Sequence, residues 1–83
     1  MLAIMEDKIF ESILELKIAD VVSKIMERKN LDFKDALQYL YISELYKALI
    51  TESTKLWHLS AEKLYDMLES EKQTQVLTYP DFV

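Results

Sequence analysis

Residues 2–29 read LAIMEDKIFESILELKIADVVSKIMERK, with neither glycine nor proline to interrupt them. At about 100° per residue, Leu2, Met5, Ile9, Ile13 and Leu16 lie along one face of a helix. From Leu14 onward, Leu14, Ile18, Val21, Val22, Ile25 and Met26 lie on nearly the opposite face. The charges change sides with them. Glu11 and Glu15 oppose the first stripe, whereas Lys17, Asp20, Lys24 and Glu27 oppose the second. A surface helix of a globular protein carries one apolar stripe, so the change of face near Leu16 has two explanations. The chain bends or breaks there and packs both halves on one core, or a straight helix buries its first half against another chain. Leu14-Glu15-Leu16-Lys17 contains no helix breaker, which favours the straight helix.

Further elements follow outward from this stretch. Asn30 suits a left-handed helix stop. Asp32 suits the N-cap of a second helix, with Asp35 in its first turn. Phe33, Ala36, Leu37, Leu40 and Tyr41 then fall at amphipathic spacing, and Ile42, Leu45, Tyr46 and Leu49 repeat it. Ser43 either caps a new short helix or sits within a continuing one. Thr51-Glu52-Ser53-Thr54 favours turns, because hydroxyl side chains compete for backbone hydrogen bonds. Residues 51–59 are therefore expected as a loop, with Lys55–Leu59 extended. Ser60 caps a last helix whose inner face is Ala61, Leu64, Tyr65 and Leu68, with Leu59 and Leu64 placed as a hydrophobic staple. Beyond about Ser70 the chain turns polar, and Val76–Val83 has no helical period.

Composition agrees with an all-α chain. Eighty-three residues bound it to a single domain. Glycine is absent and the one proline is Pro80, so a sheet built on tight hairpins is not expected. Half of the residues are hydrophobic, more than so short a chain readily hides alone. Some of that surface is expected to meet a second copy or a partner. The absence of cysteine removes disulfides and thiolate metal sites. Met1–Asp7 lacks the basic start of a signal peptide, and no segment approaches the roughly 20 apolar residues of a membrane span. The expectation is a cytoplasmic protein that does not enter membranes. A net charge of −5 disfavours nucleic acid, since phosphate neutralisation drives that binding. Lys24, Arg28, Lys29 and Lys34 form the one modest basic cluster.

The residues offer little chemistry. His58 is the single histidine and is expected half-buried beside Trp57, not as a metal ligand. Ser60 and Thr54 flank it in sequence, but no orienting third group makes either a nucleophile. The carboxylates Asp32, Asp35, Glu44, Glu52, Glu62, Asp66, Glu69 and Glu71 are expected mostly on solvated faces. No catalytic activity, metal or cofactor is expected. Trp57 is large enough to anchor an interface, although core packing is the plainer role.

Tyr41, Ser43, Tyr46 and Leu49, followed by Thr54, Leu56, Trp57 and Ser60, carry a resemblance. Over about residues 16–71 the chain resembles a group of small uncharacterised bacterial helical proteins. These are encoded beside toxins that look like ADP-ribosyltransferases. Glu44-Leu45, Ser53 and Ala61 depart from the group's pattern. The resemblance implies an antitoxin-like or toxin-associated module of a toxin–antitoxin-type operon.

The combined expectation is an all-α chain, a small bundle of three to four helices with a long N-terminal helix. A single helical domain spans 1–70, and a polar or extended tail spans 71–83. Its function is expected to be non-catalytic protein binding through an apolar face with an acidic rim, the partner being a toxin of the same operon. The interaction residues expected are Leu2, Met5, Ile9, Ile13, Leu16, Tyr46, Thr54, Trp57 and His58. The alternatives are a self-assembling homodimer without a dedicated partner, and a DNA-binding autoregulator acting through the basic cluster.

Overall fold

The structure, a computed structural model, describes residues 7–79. Among them the protein is all-α, with four helices and no strand. Helix α1 spans Asp7–Lys29, α2 Phe33–Tyr41, α3 Glu44–Leu49 and α4 Ala61–Thr74. Helix α1 is continuous through Leu16, so the change of face is accommodated without a break. Leu2 and Met5 lie outside the described residues.

Each turn uses the chemistry available without glycine. Asn30 ends α1 at φ 56°, and the Leu31 amide donates back to the Met26 carbonyl. The Asp32 carboxylate accepts the Asp35 amide at 2.9 Å. The Ser43 and Ser60 hydroxyls accept the Tyr46 and Lys63 amides, each at 3.0 Å. Caps of this kind contribute about 1 kcal/mol apiece. Lys55 and Gln75 also occupy the left-handed region, at φ 60° and 64°, where a side chain carries a steric cost.

The core is one cluster, and α1 supplies Val21, Val22 and Ile25 to it. Ala36 and Leu40 come from α2, Leu45, Ala48 and Leu49 from α3, and Leu64, Tyr65, Met67 and Leu68 from α4. Leu56 closes the cluster from the connection before α4. Full burial of such a side chain contributes about 1.5–3 kcal/mol.

The structure corrects the sequence reading in three local respects. Within the loop 51–59, Lys55–His58 are not extended: the loop forms two 3-10 turns, Glu52–Thr54 and Leu56–His58, hinged on left-handed Lys55, and of Lys55–Leu59 only Leu59 has extended backbone. The Thr54 hydroxyl, 2.7 Å from the Ala48 carbonyl, folds this connection back on α3. The last helix does not stop near Ser70 but runs to Thr74, because Glu71 is turned inward and buried. Beyond that helix Leu77 packs on the core, so the segment after Gln75 is docked at that point. His58 is exposed rather than half-buried, its ring edge-on to Trp57 at 5.4 Å.

Candidate functional site: the uncovered sides of the first helix

The buried side of α1 is fixed by Val21 and Ile25, both 0 % exposed. Leu14, Ile18 and Met26 lie along the same side and are partly covered. Among the described residues the opposite side is left uncovered along much of its length. Leu16 is 70 % exposed and Ile9 52 %, whereas Ile13 is half-buried. Helix-forming residues extend α1 past the core, so these side chains reach a region where α2 and α4 offer no cover. The flanks of the stripe carry charges of both signs, with Lys8, Glu15 and Asp20 all exposed. The rim is mixed, not purely acidic.

An aromatic contact helps to tether the projecting half. The Phe10 ring stands edge-on to Trp57 at 5.7 Å, and the Trp57 indole N–H donates to the Glu52 carbonyl at 2.8 Å. Trp57 is half-buried against the core and joins α1 to the 3-10 turns.

A second apolar area adjoins the stripe. Between α1 and α2 runs a groove of about 270 Å³, floored by Ile18, Val22 and Leu37 and bordered by Ala19, Phe33 and Tyr41. Phe33 is 60 % exposed and Tyr41 45 %; Ile42, at the α2–α3 turn, is 63 % exposed. Sequence reasoning placed Phe33 and Tyr41 on the inner face of α2, but of that face only Ala36 and Leu40 are buried. Phe33 is the first residue of α2 and Tyr41 the last, and both border the groove at its ends.

The electrostatics of the covered side are internally settled. The Arg28 guanidinium donates to both Glu62 carboxylate oxygens, at 2.8 and 2.7 Å, and the Lys24 ammonium lies 3.1 Å from one of them. Hydrogen bonds from Arg28 first, and then Lys24, hold the Glu62 carboxyl down to about 2. The Lys29 ammonium reaches Glu69 at 2.9 Å, and the Tyr39 hydroxyl donates to the same carboxylate at 2.8 Å. Burial, followed by that hydrogen bond, pushes Tyr39 up to about 12. Arg28 also sits over the Tyr65 ring at 5.0 Å, and Lys72 over the Tyr39 ring at 4.4 Å. Three of the four residues in the basic cluster are thus engaged by α4 carboxylates.

Glu71 departs furthest from the solvated-face expectation. Its two oxygens accept the Glu44 and Leu45 amides at 2.8 and 2.9 Å. With the Ser43 hydroxyl on the Tyr46 amide, all the leading donors of α3 are satisfied, where a helix end otherwise leaves orphan donors. The favourable meeting of a carboxylate with a helix N-terminus makes this a structural clamp between α4 and α3.

Of the other expected interaction residues, Tyr46, Thr54 and Trp57 make scaffold contacts, whereas His58 is exposed. Tyr46 packs on the core and against Tyr41, ring centroids 4.7 Å apart. The Thr54 hydroxyl bonds the Ala48 and Thr51 carbonyls and accepts the Leu56 amide. Ser43 and Ser60 are caps, and Leu49 and Leu56 are fully buried. Of the residues that carry the sequence resemblance, Ser43, Tyr46, Leu49, Thr54, Leu56, Trp57 and Ser60 build the fold, and Tyr41 alone also borders the uncovered apolar surface. Among the described residues no group of His, Cys, Asp and Glu could hold a metal ion, and no helix is long and apolar enough to cross a membrane. A wider depression of about 550 Å³ between α3 and residues 75–79 contains Glu44 and Lys47, which pair with each other at 3.1 Å.

Comparison with known proteins gives no match: no family model, no curated protein and no solved structure matches the chain.

Proposed function

We propose that this chain is a non-catalytic protein-binding module, antitoxin-like or toxin-associated, whose working surface is the uncovered apolar side of α1 with the adjoining α1–α2 groove. The observation that carries the reading is the exposure of Leu16, 70 %, on a helix whose opposite side buries Val21 and Ile25 in the core. Apolar area of this kind on a small domain marks an association surface. Ile9, Phe33, Tyr41 and Ile42 enlarge it. The toxin association is supported by the sequence resemblance of residues 16–71 alone. A nucleic-acid role has weaker support, since Lys24, Arg28 and Lys29 are engaged by Glu62 and Glu69.

Co-expression of the chain with the products of its neighbouring genes, followed by affinity capture, tests the reading. A complex is expected with one neighbour, and Leu16→Glu or Phe33→Glu should weaken it without loss of helix content. Failure to capture any neighbour product, or capture indifferent to both substitutions, contradicts the proposal.

A further inference from the structure

We propose that the α1 stripe joins two copies of this chain, paired antiparallel in one register selected by Lys8 and Glu15. The inference rests on the reading of this side as a protein-binding surface, and it names the occupant of the stripe.

In the sequence, Leu2, Met5, Ile9, Ser12, Leu16 and Ala19 recur at alternating spacings of three and four. That is the repeat by which two helices bury a common seam. Within the described residues the seam positions Ile9, Ser12, Leu16 and Ala19 are all exposed. The seam alternates large Ile9 and Leu16 with small Ser12 and Ala19, so knobs of one copy face room on the other. Further along the same side, Asp20, Ser23 and Glu27 are exposed, so among the described residues that flank is open to a second helix, while α2 borders the other flank at Glu15 and Ala19.

Charge complementarity selects the arrangement. Lys8 and Glu15 line one flank of the seam, and Asp20 lines the other. In a parallel pair opposite flanks meet, and Glu15 faces Asp20 of the second copy twice, a repulsion. In an antiparallel pair like flanks meet. Successive registers then set Lys8 against Lys8, Lys8 against Glu15, or Glu15 against Glu15. One of these places unlike charges together, and by symmetry it does so twice, with Ile9 of each copy opposite Ser12 of the other. Flanking charges of this kind are what fix orientation and register in paired helices. No ion pair among the described residues engages Lys8 or Glu15.

Sedimentation of the full chain across a concentration series, with circular dichroism as the check on folding, tests the proposal. The parent chain should dimerise, and Ile9→Glu should abolish dimerisation with helix content intact. Lys8→Glu and Glu15→Lys should each weaken the dimer about tenfold, since each turns two attractions into repulsions. The double variant should recover to within about threefold of the parent, because the restored pair acts across copies. A parent chain that stays single at every concentration overturns the proposal. So does a dimer indifferent to Ile9→Glu, or a double variant no tighter than either single one. Capture of a neighbouring gene's product by a chain that stays single removes the second copy but leaves the binding module standing. Absence of both removes both.

Discussion

The two halves of α1 are built from the same kinds of residue and meet different fates. In the second half, Val21 and Ile25 have no exposed area, and Lys24, Arg28 and Lys29 are fastened to α4. In the first half, Leu16 and Ile9 stand in solvent, and Phe10 against Trp57 is the aromatic tether. Helix propensity carries the backbone through both halves, whereas burial depends on whether another element reaches that side. The contrast teaches that an unbroken helix can serve as core element and as exposed surface at once, with the change marked by the swing of its apolar stripe.

The contrast breaks most readily by truncation. Ile25→Ala should cost about 2–4 kcal/mol in urea unfolding, the range for emptying a packed aliphatic site. Leu16→Ala, compared below the concentration at which chains associate, should stay within about 0.5 kcal/mol of the parent. Equal costs would show that both halves are core. The Glu71 clamp should come next. Glu71→Ala leaves the Glu44 and Leu45 amides without acceptors inside the protein and should cost about 1–3 kcal/mol. The loss should appear in unfolding and as faster amide exchange at those residues.

Phe10→Ala should have a smaller effect, about 1 kcal/mol from the lost edge-on contact. Its signature is local, with faster exchange in the first turns of α1 and unchanged protection around Ile25. Protection lost equally along the helix would erase the distinction between halves. The smallest effect concerns acid. The Glu62 carboxyl lies lower in the folded chain than in the unfolded one. Its contribution is therefore complete above the ordinary carboxylate value of 4.5 and lost as pH falls toward about 2. Glu62→Gln should flatten the stability profile across that window and leave it unchanged at neutral pH apart from a constant offset. Tyr39, raised to about 12, works in the opposite direction. Its contribution is present below pH 10 and is lost as pH rises to about 12, so Tyr39→Phe should soften the alkaline limb.

Much of the fold was legible because local rules carried it. The two stripes of residues 2–29, the Asn30 stop and the Asp32, Ser43 and Ser60 caps all rest on spacing or short-range hydrogen bonding, and the described residues follow them. The features that escaped depend on distance in space. Glu71 lies in a polar run, and nothing nearby announces the α3 amides, 26 and 27 residues earlier, that its carboxylate accepts. Phe33 and Tyr41 fit an inner stripe, but they stand 60 % and 45 % exposed while Ala36 and Leu40 of the same stripe are buried, a difference set by which residues the other helices reach. Lys55 in the left-handed region turns an expected extended segment into 3-10 turns, a conformation that lysine does not signal. Of the candidate surface, Ile9 and Leu16 were visible from periodicity, while Tyr46, Thr54 and Trp57 were marked by their residue types and turned out to hold the scaffold together.

The chain has no cysteine, so Leu16→Cys would carry its sole thiol and report directly on the stripe. Its alkylation rate should be that of an exposed thiol in dilute protein and should fall as chain concentration rises or a captured partner is added. Ile25→Cys should be protected throughout. A Leu16→Cys thiol shielded even in the most dilute single chain would mean that the stripe is covered by its own fold. One equally reactive at every concentration and with every partner would mean that the stripe binds nothing. Either result contradicts the account.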